Sequence, residues 1–403
     1  MKKKILVISP YNPFTPILSA AARTLHYRIR NLAAMAEVTL LTFTGSGGQE
    51  KNTALEFGVT GHFIPHPRRH DEDRPTGLTK LLRIVAGRLE AFDNISALVS
   101  ALASALPDIL RDRRFDLIHI DDVIIAPIVR HLPQDTRKLL FFHNLMTLQY
   151  RSHVRTKKEI HKKIAASVEH LWIHRFEADV MKNFPTIVVL TDVERRKAST
   201  ISPTTRVVQI PLEVDLEEYQ PSPEPADVRR ITLSGTMSYE PNHEGALHFI
   251  KEILPGIRSR FDDAKFFVVG KSPREELLRF HDGQVVITGE VESIQDYLKR
   301  SGMVVAPILS GGGMRMKILE AFALSKAVVS TSLGAEGIEY TDGENILIAD
   351  TAGAFADRVC SLLENPGECA RLGQNARRLM EEHYAVPLVW ARWRKVYREF
   401  GIP

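Results

Sequence analysis

One pattern constrains this chain more than any other: short β-branched runs alternate with helical stretches, and the alternation starts twice. In the first half Lys4–Ile8, Glu37–Phe43, Gly61–Pro65, Asp116–Ile120, Lys138–Phe142, Thr186–Leu190 and Arg206–Ile210 read as strands. Helical patterns over Ser19–Met35, Leu78–Leu106 and a basic stretch Thr156–Lys182 separate them. Strands joined through helices form parallel βαβ units. The segment Gln220–Pro225 (QPSPEP) then places three prolines in six residues and predicts a linker. Beyond it, strands at Arg230–Ser234, Lys265–Val269, Val285–Thr288, Met303–Ala306 and Ala327–Ser330 alternate with helices at Asn242–Arg258, Arg315–Leu324, Thr351–Leu363 and Glu368–His383. The tail Val386–Phe400 is amphipathic, with Leu388, Val389, Trp393, Val396 and Phe400 at helical spacing. The expected architecture is two doubly wound α/β domains, 1–220 and 221–385, facing across a cleft, followed by a helix in 386–403. Ligands of such sheets sit outside the C-terminal strand ends.

The length of 403 residues suits two domains with substantial cores. Two cysteines, Cys360 and Cys369, exclude a disulfide scaffold or a Cys-rich zinc module and fit a reducing cytoplasm. The longest charge-free run, Ile5–Ala22, has the 18 residues of a membrane span, but Pro10, Pro13 and Pro16 interrupt it. Lys2–Lys4 followed by Ile5–Val7 mimics a signal peptide, yet the apolar block stops at Ser9-Pro10 with no small-residue cleavage site. A cytoplasmic protein is expected. The net charge of +4 hides an asymmetry: residues 1–200 hold 30 Lys/Arg and 20 Asp/Glu, a net +10, and the remainder a net −6. Either the halves meet different partners or their charges have drifted apart by chance.

No Gly-x-Gly-x-x-Gly follows either opening strand, which excludes a nicotinamide-type dinucleotide site, and no Walker A loop is present. Asp71-Glu72-Asp73 has the Asp-x-Asp form of some metal sites, but it lies in the polar stretch RRHDEDRP and reads as a solvated loop. His170 and His174 lie one helical turn apart in a basic helix and read as a solvated face. The strongest motif is Ser310-Gly311-Gly312-Gly313-Met314-Arg315-Met316-Lys317-Ile318-Leu319-Glu320-Ala321, between a strand and a helix. Its glycines admit close backbone approach, the helix start offers N–H groups and a positive dipole end, and Arg315 and Lys317 add charge beside it. This is the chemistry of a diphosphate site, with Glu320 within reach of hydroxyl groups.

Several segments resemble the retaining GT-B glycosyltransferases of glycosyltransferase family 4. GTMSYEPNHEGALHFI from Gly235 resembles the family's first donor-domain loop and helix. Val268-Val269-Gly270 and Ile287-Thr288-Gly289-Glu290-Val291 resemble its next landmarks, and GGGMRMKILEAFALSKAVVST resembles its most specific motif. Ile210–Asp215 is similar to the turn before its linker, and YAVPLVWARWRKVY to a last helix that crosses back to the N-terminal domain. The resemblance implies a GT-B fold and a donor site containing Gly235, Gly289, Val291, Gly311, Gly312, Gly313 and Glu320, the last on the nucleotide ribose. It implies an active-site histidine at His143, which ends the strand Leu140–Phe142. The chain departs from the pattern in four places. The first of two motif glutamates falls on Gly312. The Arg and Lys of the donor loop are replaced by Thr236 and Asn242. Arg315 and Lys317 stand where Gly and Pro are usual. The N-terminal glycine pair is Ala20-Ala21. These departures place the cationic clamp on the Gly-rich loop, with Arg315 and Lys317 as catalytic residues alongside His143.

The expected reaction moves a sugar from a nucleotide diphosphate sugar to a glycan or lipid-linked acceptor with retained configuration, in cell-surface polysaccharide or glycoconjugate synthesis. No metal or other cofactor is expected. The basic helix 156–182, with Lys157, Lys158, Lys162 and Lys163 near Leu171, Trp172 and Phe176, suits an anionic membrane surface or plain solvent. No nucleic-acid reading surface stands out. Two alternatives stay open. A nucleotide-sugar 2-epimerase would turn over donor without acceptor, and an inactive nucleotide-sugar-binding protein would bind donor and transfer nothing.

Overall fold

The computed structural model describes residues 2–15, 19–45, 50–67, 90–111, 113–156 and 159–403. They fall into two compact units, Met1–Pro211 with Trp390–Pro403, and Leu212–Val389. In the first unit β1 (Lys4–Ile8), β2 (Glu37–Phe43), β3 (Val59–Ile64), β4 (Leu117–Asp121), β5 (Arg137–Phe141), β6 (Thr186–Val189) and β7 (Arg206–Gln209) form one sheet. Their spatial order is β3-β2-β1-β4-β5-β6-β7, every described pairing is parallel, and the order reverses between β1 and β4. Both faces of such a sheet are covered, which explains why β1 and β6 are almost wholly buried runs rich in Ile, Leu and Val, and why β4 is buried along its whole length.

The second unit repeats the plan. Here β8 (Asp227–Ser234), β9 (Lys265–Val269), β10 (Val285–Gly289), β11 (Ser301–Ala306), β12 (Ala327–Ser330) and β13 (Leu347–Ile348) are ordered β10-β9-β8-β11-β12-β13. The reversal falls between β8 and β11. Ile231, Leu233, Phe266, Val268 and Val305 pack against Phe249, Phe355 and Val359 in its core. Two parallel doubly wound units of this kind make a GT-B fold.

The compact units divide earlier than the proline-rich segment suggests. Residues 212–219 pack within the second unit: the Arg377 guanidinium donates to the carbonyls of Leu216 and Tyr219, and Val214 bridges to Ala385. The last helix, Val386–Glu399, passes into the first unit from Trp390 onward.

Three local readings need correction. The basic helix expected over Thr156–Lys182 is present as Ile160–Met181, and an unexpected helix, Met146–Thr156, precedes it. Glu177, on the basic helix, holds the start of the preceding one by accepting from the N–H groups of Met146 (2.6 Å) and Thr147 (3.0 Å). The expected helix Asn242–Arg258 is present from Glu240 but widens into a π turn at Phe249–Ile253, just before Pro255, which cannot donate to the preceding turn. His170 and His174 are half-buried rather than solvated, and burial pushes both imidazoles below their usual range. Asp71, Asp73, Lys157, Lys158 and the first part of the Leu78–Leu106 pattern lie outside the described residues.

Candidate functional site

Each sheet reverses its strand order at one point, and crevices there are the usual ligand sites of open α/β sheets. The chemistry-bearing residues of both units gather at these two points.

In the second unit, Gly235 follows β8, Gly270 follows β9 and Gly289 ends β10. The Gly235 N–H donates to Val269 O (2.9 Å), and the Gly270 N–H donates to Gly289 O (3.2 Å). A Cβ on Gly270 would stand 2.0 Å from Gly235 O, so two strand ends approach as only glycine allows. Val291, two residues past β10, is half-buried. Across the reversal, the loop after β11 carries Gly311, Gly312 and Gly313, all buried, with φ of 102° at Gly311 and 80° at Gly313. The loop ends at the helix Met316–Ala323.

The Gly-rich loop brings its two cations to different places. Arg315 is buried and turns back onto its own loop, where Nη1 donates to the carbonyls of Gly312 and Gly313. Lys317 is also buried, and its Nζ donates to Asn242 Oδ1 (2.7 Å). Asn242 in turn donates through Nδ2 to Thr236 O (2.9 Å). The Lys317 ammonium also lies close to Gly235, since a Cβ there would stand 3.1 Å from Nζ. Thus the cation from the second loop reaches the first loop, and Thr236 and Asn242 hold it there. Burial, joined by the nearby Arg315 charge, pulls the Lys317 ammonium down to about 7. Glu320 sits one turn further on, and its Oε1 accepts from the Tyr219 hydroxyl (2.8 Å).

In the first unit, the reversal between β1 and β4 holds a buried charged cluster that the sequence reading did not find, apart from His143. Asp121 ends β4 and is fully buried. The Arg28 guanidinium donates to its Oδ1; Oδ2 accepts from Ser9 Oγ (3.1 Å) and lies 3.3 Å from His143 Nε2. Arg28 lies in the corner of two rings that meet edge to face, its Cζ 4.3 Å from the Phe141 centroid and 4.2 Å from that of Trp393. Burial alone would raise the Asp121 carboxyl, but Arg28 and His143 overcome it and hold the group at about 2. His119 beside it is pushed down to about 3 by burial and Arg28, and its Nδ1 pairs with Tyr397 Oη at 2.8 Å. His143 packs edge-on against Tyr11 and Phe141, at 5.0 and 4.6 Å between centroids. The Tyr11 hydroxyl donates to Asp122 (2.6 Å).

The chain just past His143 is fixed by two buried glutamates. Glu194 accepts from the Leu145 N–H (3.0 Å) and completes a capping box with Thr191, while Glu177 takes the next two N–H groups. Burial raises both carboxyls, Glu177 to about 7. A Thr-x-x-Glu capping box (Thr191, Glu194) is visible in sequence; the carboxylates' long-range targets are not. Among the described residues no group of three or more His, Cys, Asp or Glu is placed to hold a metal ion.

The two parallel units have a GT-B fold. Residues 228–365, within the second unit, match the family described as glycosyl transferases group 1. Two curated relatives are similar in sequence. An uncharacterized 44.6 kDa protein in the cps region of Klebsiella pneumoniae is 23% identical over 70% of this chain and 74% of its own length. The phosphatidyl-myo-inositol mannosyltransferase of Mycobacterium leprae is 27% identical over 39% of this chain and 44% of its own. Among solved structures, sucrose-phosphate synthase from Thermosynechococcus elongatus superposes with a TM-score of 0.71 at 16% identity, covering 99% of both chains. Anabaena HepE in complex with UDP-glucose gives 0.65 at 12% identity, over 98% of this chain and 99% of that one.

Proposed function

We propose that this chain is a retaining glycosyltransferase that takes its sugar from a nucleoside diphosphate sugar. The observation that carries the reading is the buried Lys317 ammonium, delivered by the Gly-rich loop to Gly235 and Asn242 in the unit that matches the group 1 glycosyltransferases. The UDP-glucose complex of HepE supports a donor of this class. The bond from the anomeric carbon to the phosphate oxygen breaks, and negative charge builds on the leaving diphosphate. Lys317 and the N-terminus of the helix Met316–Ala323 meet that charge, while Arg315 holds the loop in shape and adds a second positive charge. Gly311, Gly312 and Gly313 let the backbone approach the phosphates, Gly289 and Val291 line the base side, and Glu320 takes the ribose hydroxyls. The acceptor oxygen bonds to the anomeric carbon on the face the diphosphate leaves, and its proton passes to the leaving phosphate oxygen.

Incubation with a panel of nucleotide sugars should give slow hydrolysis of one of them, and transfer once the acceptor is supplied. EDTA should leave that turnover unchanged. Binding of the donor with neither hydrolysis nor transfer would replace this reading with a nucleotide-sugar-binding protein, and strict metal dependence would return attention to Asp71 and Asp73.

The acceptor side of the reading is a glycan or lipid-linked molecule of the cell surface, met at the inner face of the membrane. The name of the mannosyltransferase relative supports a lipid-linked acceptor. Among the described residues no helix is long and apolar enough to cross a membrane. The helix Ile160–Met181, however, exposes Ile160, Ile164 and Leu171 beside exposed Lys162 and Lys163. Apolar side chains with adjacent lysines suit the surface of an anionic bilayer. Flotation with phosphatidylglycerol vesicles should retain the protein at low salt and release it at high salt, and no binding at low salt would discard the membrane contact.

A further inference from the structure

The Asp121 carboxylate is saturated in an ordered way. Oδ1 is taken by Arg28, and Oδ2 faces the Ser9 hydroxyl and His143 Nε2. The ion pair is closed to solvent: Asp121 is fully buried and Arg28 is 1% exposed, while His143 keeps 8%. An ionised carboxylate only accepts hydrogen bonds. The 3.3 Å contact therefore requires the hydrogen of the neutral imidazole to be on Nε2. His119 does not compete for the same role, because its Nε2 is 3.9 Å from Oδ1 and its Nδ1 is engaged with Tyr397.

We propose that Arg28 and Asp121 are a positioning pair that fixes the tautomer of His143, leaving Nδ1 as a hydrogen-bond acceptor for a substrate hydroxyl. The functional half of this statement rests on the glycosyl-transfer reading; the tautomer does not. The pair works through geometry. The guanidinium rests in the corner formed by the Phe141 and Trp393 rings, which meet edge to face, and from there it occupies Oδ1, so the carboxylate turns Oδ2 toward the histidine. The last helix, through Trp393, thereby helps to set the protonation pattern at the end of β5. Neither Arg28 nor Asp121 touches substrate in this scheme.

Asp121→Asn tests the pair sharply. Arg28 offers only donors, so the amide must turn its oxygen to Arg28 and its NH₂ to Ser9 and His143. His143 Nε2 must then accept, and its proton must move to Nδ1. The experiment is ¹⁵N NMR of histidine-labelled protein, with the His143 signals identified from a His143→Gln sample. The wild type should show His143 protonated on Nε2, and Asp121→Asn should show it protonated on Nδ1. Turnover should fall at least about tenfold in Asp121→Asn, the scale of a lost hydrogen bond to a substrate hydroxyl, with KM little changed. The double variant with His143→Gln should be no slower than His143→Gln alone. A wild-type His143 protonated on Nδ1 would overturn the proposal without any need for a folded variant. So would an Asp121→Asn protein that keeps the proton on Nε2, or one that loses it and retains full turnover. The expected tautomers in a protein that turns over no nucleotide sugar would support the positioning pair and overturn the reading of the reaction instead.

Discussion

Lys317→Met should lower turnover about a thousandfold while leaving the protein folded. A unit charge about 4 Å from the leaving diphosphate contributes roughly 4 kcal/mol at an effective dielectric of 20, which is about a thousandfold in rate. The fold does not depend on this charge. Burial disfavours the ammonium, whose pKa is pulled down to about 7, so an apolar side chain of similar length removes a group the folded protein ionises reluctantly. The unpaired Asn242 Oδ1 left behind opposes that gain, so the melting temperature should change little. A wild-type rate in this variant would sink the clamp. The same group makes donor binding pH-dependent. A bound diphosphate raises the Lys317 pKa, so binding takes up a proton. Affinity is full below pH 7 and falls as pH rises from there through the raised, bound-state value. Titration calorimetry of UDP in buffers of different ionisation enthalpy should show that uptake near pH 7, and Lys317→Met should abolish it.

The largest effect on stability is expected at Asp121. Asp121→Ala leaves the Arg28 guanidinium buried without its counter-charge, and breaking a buried pair in this way costs about 3–5 kcal/mol. Replacing both partners, Arg28→Met with Asp121→Leu, removes the stranded charge and should recover much of the loss, because a buried pair gains little over apolar residues of similar volume. Urea denaturation of the two variants and the wild type checks this. Equal stability of Asp121→Ala and the wild type would show that the cluster is not closed to water. Acid should weaken the pair by the same logic. Asp121 is held at about 2, below its unfolded value, so its contribution is present above the unfolded pKa and fades as pH falls toward 2.

Most strands were legible because each is a buried run of branched residues between turn signals; the two-residue edge strand Leu347–Ile348 of the second sheet was too short to read. Lys4–Ile8, Glu37–Phe43, Lys265–Val269 and Ala327–Ser330 match the structure residue for residue. The helix Met146–Thr156 was not legible, because its start is capped by Glu177 from another helix, 30 residues on. The π turn before Pro255 was likewise invisible in the helical periodicity. The boundary near 220 was read from prolines, but Tyr219 and Arg377 tie residues 216–219 into the second unit.

The candidate site divides in the same way. By itself the sequence determined two parallel α/β units, a Gly-rich loop opening a helix, the cations Arg315 and Lys317 on that loop, and a histidine at a strand end. These depend on spacing along the chain, and spacing is what a sequence records. Only the tertiary structure decided that Lys317 reaches Asn242 while Arg315 folds onto its own glycines. It also decided that Asp121 takes Arg28, Ser9 and His143 at once. Arg28 and Asp121 stand 93 residues apart. In sequence one is an arginine in a helix and the other one of two adjacent aspartates. Their partnership exists because the strand order reverses between β1 and β4, which brings the end of one strand, the start of another loop and the last helix of the chain to one buried point.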